Sequence, residues 1–195
     1  MAEASGKIHG AAASSLDESA GWAHNRGAAA SGSTGERRTE RLLNELAVTP
    51  GGPTVLHDLR FPRLDRKANI DHVVVSGDTV TIIDSKLWRP GLYWSFGGRT
   101  RRGLQPIPYA DRSTLADARR AITAHLRQVD RAIVAEPIMV VWPSENAAIH
   151  VGLMRPGGAR AISGERLARV ARRRFGDGPG NEAIVERLMR LVRAR

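Results

Sequence analysis

Two aspartates and one lysine are the residues of this chain whose types and spacing most clearly suggest chemistry. They lie in the stretch from Asn69 to Lys86, which reads N-I-D-H-V-V-V-S-G-D-T-V-T-I-I-D-S-K. Two runs of β-branched residues flank Gly77-Asp78, and such runs around a short Gly/Asp turn are typical of a β-hairpin. The sequence therefore predicts two antiparallel strands joined by a two-residue loop.

The register of this hairpin brings the charged residues together. With Gly77 and Asp78 in the loop, Asp71 lies opposite Asp84, and opposed residues have Cβ atoms about 4.5–5.5 Å apart on one face. The two-residue period of a strand places Lys86 on that face as well. Two carboxylates and one ammonium group are therefore expected to converge at the open end of the hairpin.

This group of side chains can form a metal site. Close carboxylates repel each other unless a cation lies between them, and oxygen ligands suit Mg²⁺ or Mn²⁺, which retain water and bind substrate phosphate. We predict Asp71 and Asp84 as metal ligands and Lys86 as a catalytic residue that holds the attacking water or the scissile phosphate. In the alternative, Asp71 only ends a strand, and Asp84 and Lys86 form an ion pair at the sheet rim. His72 faces the other way, where we expect it to be packed or hydrogen-bonded.

A glutamate leads the apolar stripe of the first predicted helix. In residues 33–47, Leu43 and Leu46 stand at helical spacing from Glu36, so all three share the face that we expect to pack on the core. An inward carboxylate is a candidate ligand. However, Ser33 and Glu36 also fit the S-x-x-E capping box, in which Glu36 accepts a hydrogen bond from a backbone N–H at the helix start. The helix pattern alone leaves both roles open.

The composition indicates a polyanionic partner. The 195 residues carry a formal net charge of +10, and such a surplus favours nucleic acid, although an arginine-rich coding bias would leave the same charge merely solvated. There is no cysteine, which excludes disulfides and thiolate metal sites. No run approaches the roughly 20 apolar residues of a membrane span, and the N-terminus lacks the apolar core of a signal peptide. We expect a soluble, cytoplasmic protein with no membrane partner, while the oligomeric state stays open.

Basic residues flank the predicted hairpin on both sides. The segment before it is basic, and after it the alternating stretch L-Y-W-S-F precedes an arginine cluster among glycines. Aromatic side chains beside arginine suit contact with a nucleic-acid backbone and unstacked bases. The alternative is a third strand of the same meander, with its aromatics packed inward, beside a solvated basic loop. The residues that we predict to contact nucleic acid are Arg66, Lys67, Arg89, Arg99, Arg101 and Arg102.

The order of elements predicts an α/β fold. Residues 1–32 are rich in Ala, Gly and Ser and predict a mostly disordered tail, and residues 33–195 are expected to form one domain. The remaining predicted elements are strands at 54–59, 137–142 and 147–154 and helices at 113–129, at 163–175 and from Asn181. This order is typical of a mixed sheet with helices on its faces.

Four motifs in this order resemble the nuclease-related domain (NERD) family of the PD-(D/E)XK restriction-endonuclease-like superfamily. Gly35-Glu36 resembles the opening G-E helix of the family, and Ile70–Val75 resembles its I-D-H-hydrophobic strand. Ile82–Lys86 resembles the second catalytic strand, although the family often has Glu where this chain has Asp84, and Gly91 resembles the glycine that follows. The resemblance covers roughly residues 35–175.

This resemblance implies a restriction-endonuclease-like fold, in which helices flank a mixed central sheet with a catalytic β-hairpin. It implies that Asp71, Asp84 and Glu36 are metal ligands and that Lys86 completes the catalytic set. The expected activity is hydrolysis of phosphodiester bonds with Mg²⁺ or Mn²⁺, on DNA in preference to RNA. Two alternatives stay open: a nuclease fold retained as a DNA-binding module with little or no catalysis, and an RNA-directed nuclease or binder.

Overall fold

The computed structural model contains the predicted elements together with several additional short strands. It describes residues 6–12, 26–61, 69–107, 110, 114–176 and 178–193. The helices are α1 (Arg26–Ala47), α2 (Thr114–Leu126), α3 (Gly164–Phe175) and α4 (Glu182–Met189), with a 3-10 turn at Pro156–Gly158. The strands are β1 (Ile8–His9), β2 (Thr54–Arg60), β3 (Asn69–Ser76), β4 (Thr79–Trp88), β5 (Gly91–Phe96), β6 (Arg99–Arg102), β7 (Gln105–Pro106), β8 (Ile133–Val134), β9 (Ile138–Pro143), β10 (Ile149–Leu153) and β11 (Arg160–Ser163).

A large mixed sheet occupies the centre of the described structure. Its strand order is β1-β2-β3-β4-β9-β11, and the short β8 also pairs with β4. Strands β2, β3 and β4 are antiparallel neighbours, whereas β9 joins β4 in parallel and β11 joins β9 in parallel. The predicted fold class, an α/β protein with a mixed central sheet, is therefore confirmed.

The β3–β4 hairpin has the predicted register. The ladder begins beside the two-residue loop, and its last pair at the open end is His72 with Ile83. The next residue along each strand is Asp71 on β3 and Asp84 on β4. Both aspartates therefore lie just beyond the last paired position of this ladder.

Alternating side chains give the large sheet two apolar faces. On one face, α1 and α3 cover a cluster that includes Leu43, Ile83 and Leu167. On the other face, α2 and α4 cover a larger cluster that includes Ile82 and Ile122. Because neighbouring residues on β4 point to opposite faces, this strand is buried on both sides. Among the described residues, no helix combines the length and the apolar character that crossing a membrane requires.

A second sheet follows the hairpin, and its strand order is β10-β5-β6-β7. Strand β5 is therefore not a third strand of the β3–β4 meander, and Arg99–Arg102 form a strand instead of a basic loop. Gly97 and Gly98 have φ angles of 56° and 75°, the left-handed conformation that a two-residue hairpin loop requires. Alternation correctly predicted β5 as a strand, but it carries no information about which strand pairs with it.

The structure corrects two predictions about the N-terminal region. Ile8 and His9 pair in parallel with β2, so this part of residues 1–32 belongs to the large sheet; a two-residue strand is too short to show a period. Helix α1 begins at Arg26, and Ser33 consequently lies inside the helix. The capping-box role of Glu36 is therefore wrong. The division into a tail and one domain otherwise stays a prediction.

Candidate active site

Asp84 and Lys86 form a direct ion pair near the end of β4. The Lys86 Nζ atom donates to Asp84 Oδ1 at 2.7 Å and to the Ser85 carbonyl oxygen at 3.3 Å. The other carboxylate oxygen of Asp84, Oδ2, is buried and has no hydrogen-bond partner within the described part of the chain. Leaving a buried acceptor unpaired is costly, so this oxygen is suited to serve as a ligand to a cation.

Asp71 lies on β3 beside this pair. Its Oδ2 accepts a hydrogen bond from the backbone N–H of Ser85 at 2.8 Å, which fixes the side chain against β4. Burial, together with the negative charge of Asp84, raises the pKa of Asp71 to about 7, since both effects disfavour the ionised form. The two carboxylates also line the same pocket. The structure thus brings Asp71 and Asp84 together, as the hairpin register predicts.

Lys86 keeps its positive charge in this setting. Burial alone would lower its pKa, but the negative charges of Asp84 and Asp71 outweigh burial and raise the pKa above its usual value. A lysine that stays protonated at neutral pH cannot accept a proton, so its contribution is electrostatic. Such a fixed cation can stabilise negative charge on a phosphoryl oxygen.

Glu36 approaches the site from helix α1. The helix packs against β4 at Gly35, where an added Cβ atom would lie 3.2 Å from the backbone carbonyl carbon of Lys86. The negative charge of Glu36 contributes to the raised pKa of Lys86, so the glutamate lies near the lysine. Within the described ranges, however, no three His, Asp or Glu side chains lie close enough together to hold one ion. The metal-binding role of Glu36 stays a prediction.

The residues present fit a divalent cation held by two protein carboxylates. Both donor groups offer oxygen, and Asp84 Oδ2 lacks a partner among the described residues. Burial and, after it, the negative charge of Asp84 raise the pKa of Asp71, and a cation between the two carboxylates would favour their ionised forms. Mg²⁺ usually keeps several waters and binds through one or two carboxylates plus substrate phosphate, so a third protein ligand is not required.

A chain of buried hydrogen bonds supports the site from the opposite face of the sheet. His57 Nδ1 and His72 Nδ1 lie 2.8 Å apart, and His72 Nε2 lies 3.1 Å from Ser85 Oγ. Both ends of the chain reach α1, through Asn44 Oδ1 at 2.9 Å from His57 Nε2 and through Thr39 Oγ1 at 2.8 Å from Ser85 Oγ. These bonds tie α1 to β2, β3 and β4 directly behind the two carboxylates.

His57 and His72, the two histidines in this series of hydrogen bonds, are neutral. Burial lowers the pKa of His57 to about 4, and burial with the nearby charges of His57 and Lys86 lowers the pKa of His72 well below its usual value. The expectation that His72 is packed and hydrogen-bonded is therefore confirmed. Its partner His57 was not predicted from the sequence; its position directly opposite His72 follows from the β2–β3 register.

A further carboxylate, which the sequence analysis did not single out, is Asp58 on β2. It is 4% exposed, its φ angle is 51°, and its negative charge adds to the raised pKa of Asp71. Arg193 Nε lies 4.0 Å from Asp58 Oδ1, whereas Oδ2 has no hydrogen-bond partner in the described residues. The signal in the sequence was an acid inside the predicted strand at residues 54–59.

The structure describes only some of the basic residues that we predict to contact nucleic acid. Arg66 and Lys67 lie outside the described residues. The others lie on or beside the second sheet: Arg89, Arg99, Arg101 and Arg102. The guanidinium of Arg101 lies 5.9 Å from the centre of the Trp94 ring, a distance typical of a cation–π contact. These arginines therefore lie on or beside the second sheet and not on the β3–β4 hairpin that carries the candidate catalytic residues.

Comparison with known protein families supports the same assignment as the motifs. The family model described as nuclease-related domain matches residues 31–141, which is more than half of the chain and includes Glu36 and the whole β3–β4 hairpin. No curated protein and no solved structure matches the chain. The mixed sheets and flanking helices are consistent with a restriction-endonuclease-like fold.

Proposed function

This chain belongs to the nuclease-related domain family, and we propose that it is a metal-dependent nuclease that hydrolyses phosphodiester bonds of DNA. The observation that carries the proposal is the convergence of Asp71 and Asp84 beside Lys86, inside the segment that the family model matches. Membership of the family implies interaction with nucleic acid. The formal net charge of +10 suits a polyanionic substrate.

In the proposed mechanism, Asp71 and Asp84 would hold Mg²⁺ or Mn²⁺. When bound, the cation would acidify the attacking water and offset the charge that develops on the phosphoryl oxygens. Lys86 supplies a fixed positive charge to the scissile phosphate, and Glu36 helps to keep this lysine protonated. Hydrolysis forms one P–O bond to water and breaks one P–O ester bond; one proton of the water goes to the leaving oxygen and the other to solvent.

One observation favours a second function, a nucleic-acid-binding module without catalysis. The ion pair between Lys86 and Asp84 satisfies one carboxylate oxygen from within the protein. A divalent cation would therefore have to compete with the Lys86 ammonium for the Asp84 carboxylate. Both functions share the fold, the basic surface and the binding of nucleic acid, so only cleavage distinguishes them.

The deciding experiment measures cleavage of supercoiled plasmid, linear duplex DNA, single-stranded DNA and RNA with Mg²⁺, Mn²⁺ or EDTA. The wild type is compared with Asp84→Asn and Lys86→Met. We expect wild-type cleavage of DNA that EDTA abolishes, with each variant slower by on the order of a hundredfold or more. The RNA arm tests the proposed preference for DNA.

Matched controls are Asp130→Asn and Lys7→Met, which make the same chemical changes at exposed positions away from the hairpin. Both controls should retain the wild-type rate. Equal cleavage by all five proteins would show that the activity does not arise at this site. Intact nucleic-acid binding without cleavage of any substrate would establish the binding module instead.

A further inference from the structure

The outer face of the second sheet presents aromatic, aliphatic and arginine side chains together. On β5, Trp94 and Phe96 alternate with the buried Tyr93, so they point away from the core. The register places Arg101 opposite Trp94 and Arg99 opposite Phe96, and opposed residues share a face. The outer face is thus defined by Leu92, Trp94, Phe96, Arg99, Arg101, His150 and Leu153.

This outer face is open to solvent, and the strands that form it carry no acid. The fractional exposure of Phe96 is 80%, that of Leu153 is 67% and that of Leu92 is 49%. None of the four strands of this sheet contains Asp or Glu. Large apolar side chains that remain this exposed commonly mark a binding surface, and the arginines among them favour a negatively charged partner.

Packing and hydrogen bonds fix the β5–β6 hairpin, which carries most of these residues. On its inner face, Tyr93 packs in the large core cluster and its hydroxyl donates to the Arg89 carbonyl oxygen at 2.8 Å. On its outer face, Trp94 Nε1 donates to the Gly103 carbonyl oxygen at 2.8 Å, so the indole is held in a fixed orientation. Phe96 precedes the turn of Gly97 and Gly98, around which there is open space. A flat ligand can therefore approach the phenyl ring freely.

The outer face lies close to the candidate active site along the chain. Strand β5 begins at Gly91, five residues after Lys86, and five extended residues span at most about 17 Å. The Trp88 ring at the end of β4 stacks on Tyr93 with 5.2 Å between the ring centres. The start of β5 therefore lies within about 17 Å of Lys86.

We propose that this outer face binds single-stranded DNA, with bases stacked on Phe96 and Trp94 and phosphates paired with Arg99 and Arg101. The proposal rests on the proposed nuclease function and makes its substrate single-stranded or locally opened DNA. Aromatic side chains on a positively charged sheet surface are the means by which proteins bind single strands without reading their sequence. Bases in an intact duplex are already stacked on each other, so they cannot use such a face.

The test measures the affinity of the full chain for fluorescein-labelled oligothymidine and for a fully paired DNA hairpin, by anisotropy in EDTA so that nothing is cleaved. Phe96→Ala should weaken oligothymidine binding about fivefold or more and change hairpin binding little. Phe96→Trp should keep the wild-type affinity. Phe96→Leu should lose affinity as Phe96→Ala does, because leucine keeps the apolar surface but not the ring. Arg99→Ala should weaken oligothymidine binding and reduce its salt dependence.

Ile133→Ala and Arg190→Ala are the matched controls, since both remove exposed side chains outside the second sheet; both should bind oligothymidine like the wild type. Wild-type affinity in Phe96→Ala, wild-type affinity in Phe96→Leu, or an equal loss for the paired hairpin would overturn the proposal. So would tighter binding of oligouridine than of oligothymidine, or a wild-type dimer in sedimentation that Phe96→Ala dissociates. Because no cleavage is needed, these results are independent of whether Asp84 and Lys86 support catalysis.

Discussion

At Asp71, folding and the proposed chemistry make opposite demands on one carboxyl group. The ionised form is needed to hold a cation, yet burial and the charge of Asp84 raise the pKa of Asp71 to about 7. In an unfolded chain the same group titrates near about 3.9. Between these two values the native protein holds a proton that the unfolded chain releases. Without a cation, Asp71 therefore opposes folding as the pH rises.

We expect the Asp71→Asn variant to gain stability relative to the wild type as the pH rises from about 4 to about 7. Over this window the native wild type binds more protons than the unfolded chain, so its free energy of unfolding falls with pH. One pKa unit corresponds to about 1.4 kcal/mol, which predicts a relative gain on the order of 2–4 kcal/mol for the variant. Urea unfolding in EDTA at several pH values measures this difference.

The buried histidine pair also makes stability depend on pH, but it does not affect the comparison between wild type and Asp71→Asn. The lowered pKa of His57 acts in the other direction: the unfolded chain binds the extra proton, so stability rises with pH between about 4 and about 6.5. This contribution is common to both proteins and cancels in the comparison. A stability difference between wild type and Asp71→Asn that does not change with pH would contradict the assignment, and Asp130→Asn should match the wild type throughout.

Regular backbone decided which site residues the sequence could predict. Asp71, Asp84 and Lys86 lie on ordinary strands, so the two-residue period and the hairpin loop sufficed to bring them together. Asp58 was not predicted as a site residue, because its φ angle of 51° is not a strand conformation. The two-residue period of a strand therefore does not apply at this position. The resemblance to a family, and not the helix pattern, favoured Glu36 as a metal ligand, and that role stays a prediction.

At the scale of elements, the distance between α1 and β4 is set by one glycine. Gly35 is buried, and a Cβ atom there would lie 3.2 Å from the backbone nitrogen of Leu87 as well as from the carbonyl carbon of Lys86. Neither backbone atom can move aside without displacing a central strand. The absence of a side chain at Gly35 thus allows Glu36 to approach Lys86, which is a physical reason for the G-E pair at this position.

A Gly35→Val substitution should separate α1 from β4. We expect a loss of about 1–3 kcal/mol in the free energy of unfolding, the usual cost of inserting bulk into a packed interface. Thr34→Val is the matched control, since the same β-branched residue is introduced one position earlier, on the exposed side of the helix. Chemical denaturation measures both, and equal stability of the two variants would show that the helix does not pack as closely as the structure indicates.

Elements with a strong internal pattern were predicted well, and short ones were not. Helices α3 and α4 begin after Ser163 and Asn181 as expected, because both side chains accept a hydrogen bond from a backbone N–H in the first turn. Strands β1, β7 and β8 have two residues each and hold their places only through pairing partners. The second sheet was not predicted, because tertiary contacts, and not the pattern within each strand, decide which strands pair.

At the scale of the whole molecule, the segment that the family model matches leaves out part of the hydrophobic core. The match ends at residue 141, within β9. Both faces of the large sheet are completed by later elements: Leu167 and Phe175 of α3 lie in one core cluster, and Ile184 and Leu188 of α4 lie in the other. All four side chains are buried, so the sheet depends on them on both sides.

A chain reduced to residues 31–141 should therefore fail to fold cooperatively. Losing four buried side chains, each worth about 1.5–3 kcal/mol, removes roughly 6–12 kcal/mol, which is comparable to the whole stability of a typical domain of about 5–15 kcal/mol. Near-ultraviolet circular dichroism and urea unfolding measure the outcome, with residues 1–193 as the control that should fold. A cooperative transition in the short chain would mean that the later helices are not needed for folding, and that the β3–β4 hairpin is positioned by α1, α2 and the sheet alone.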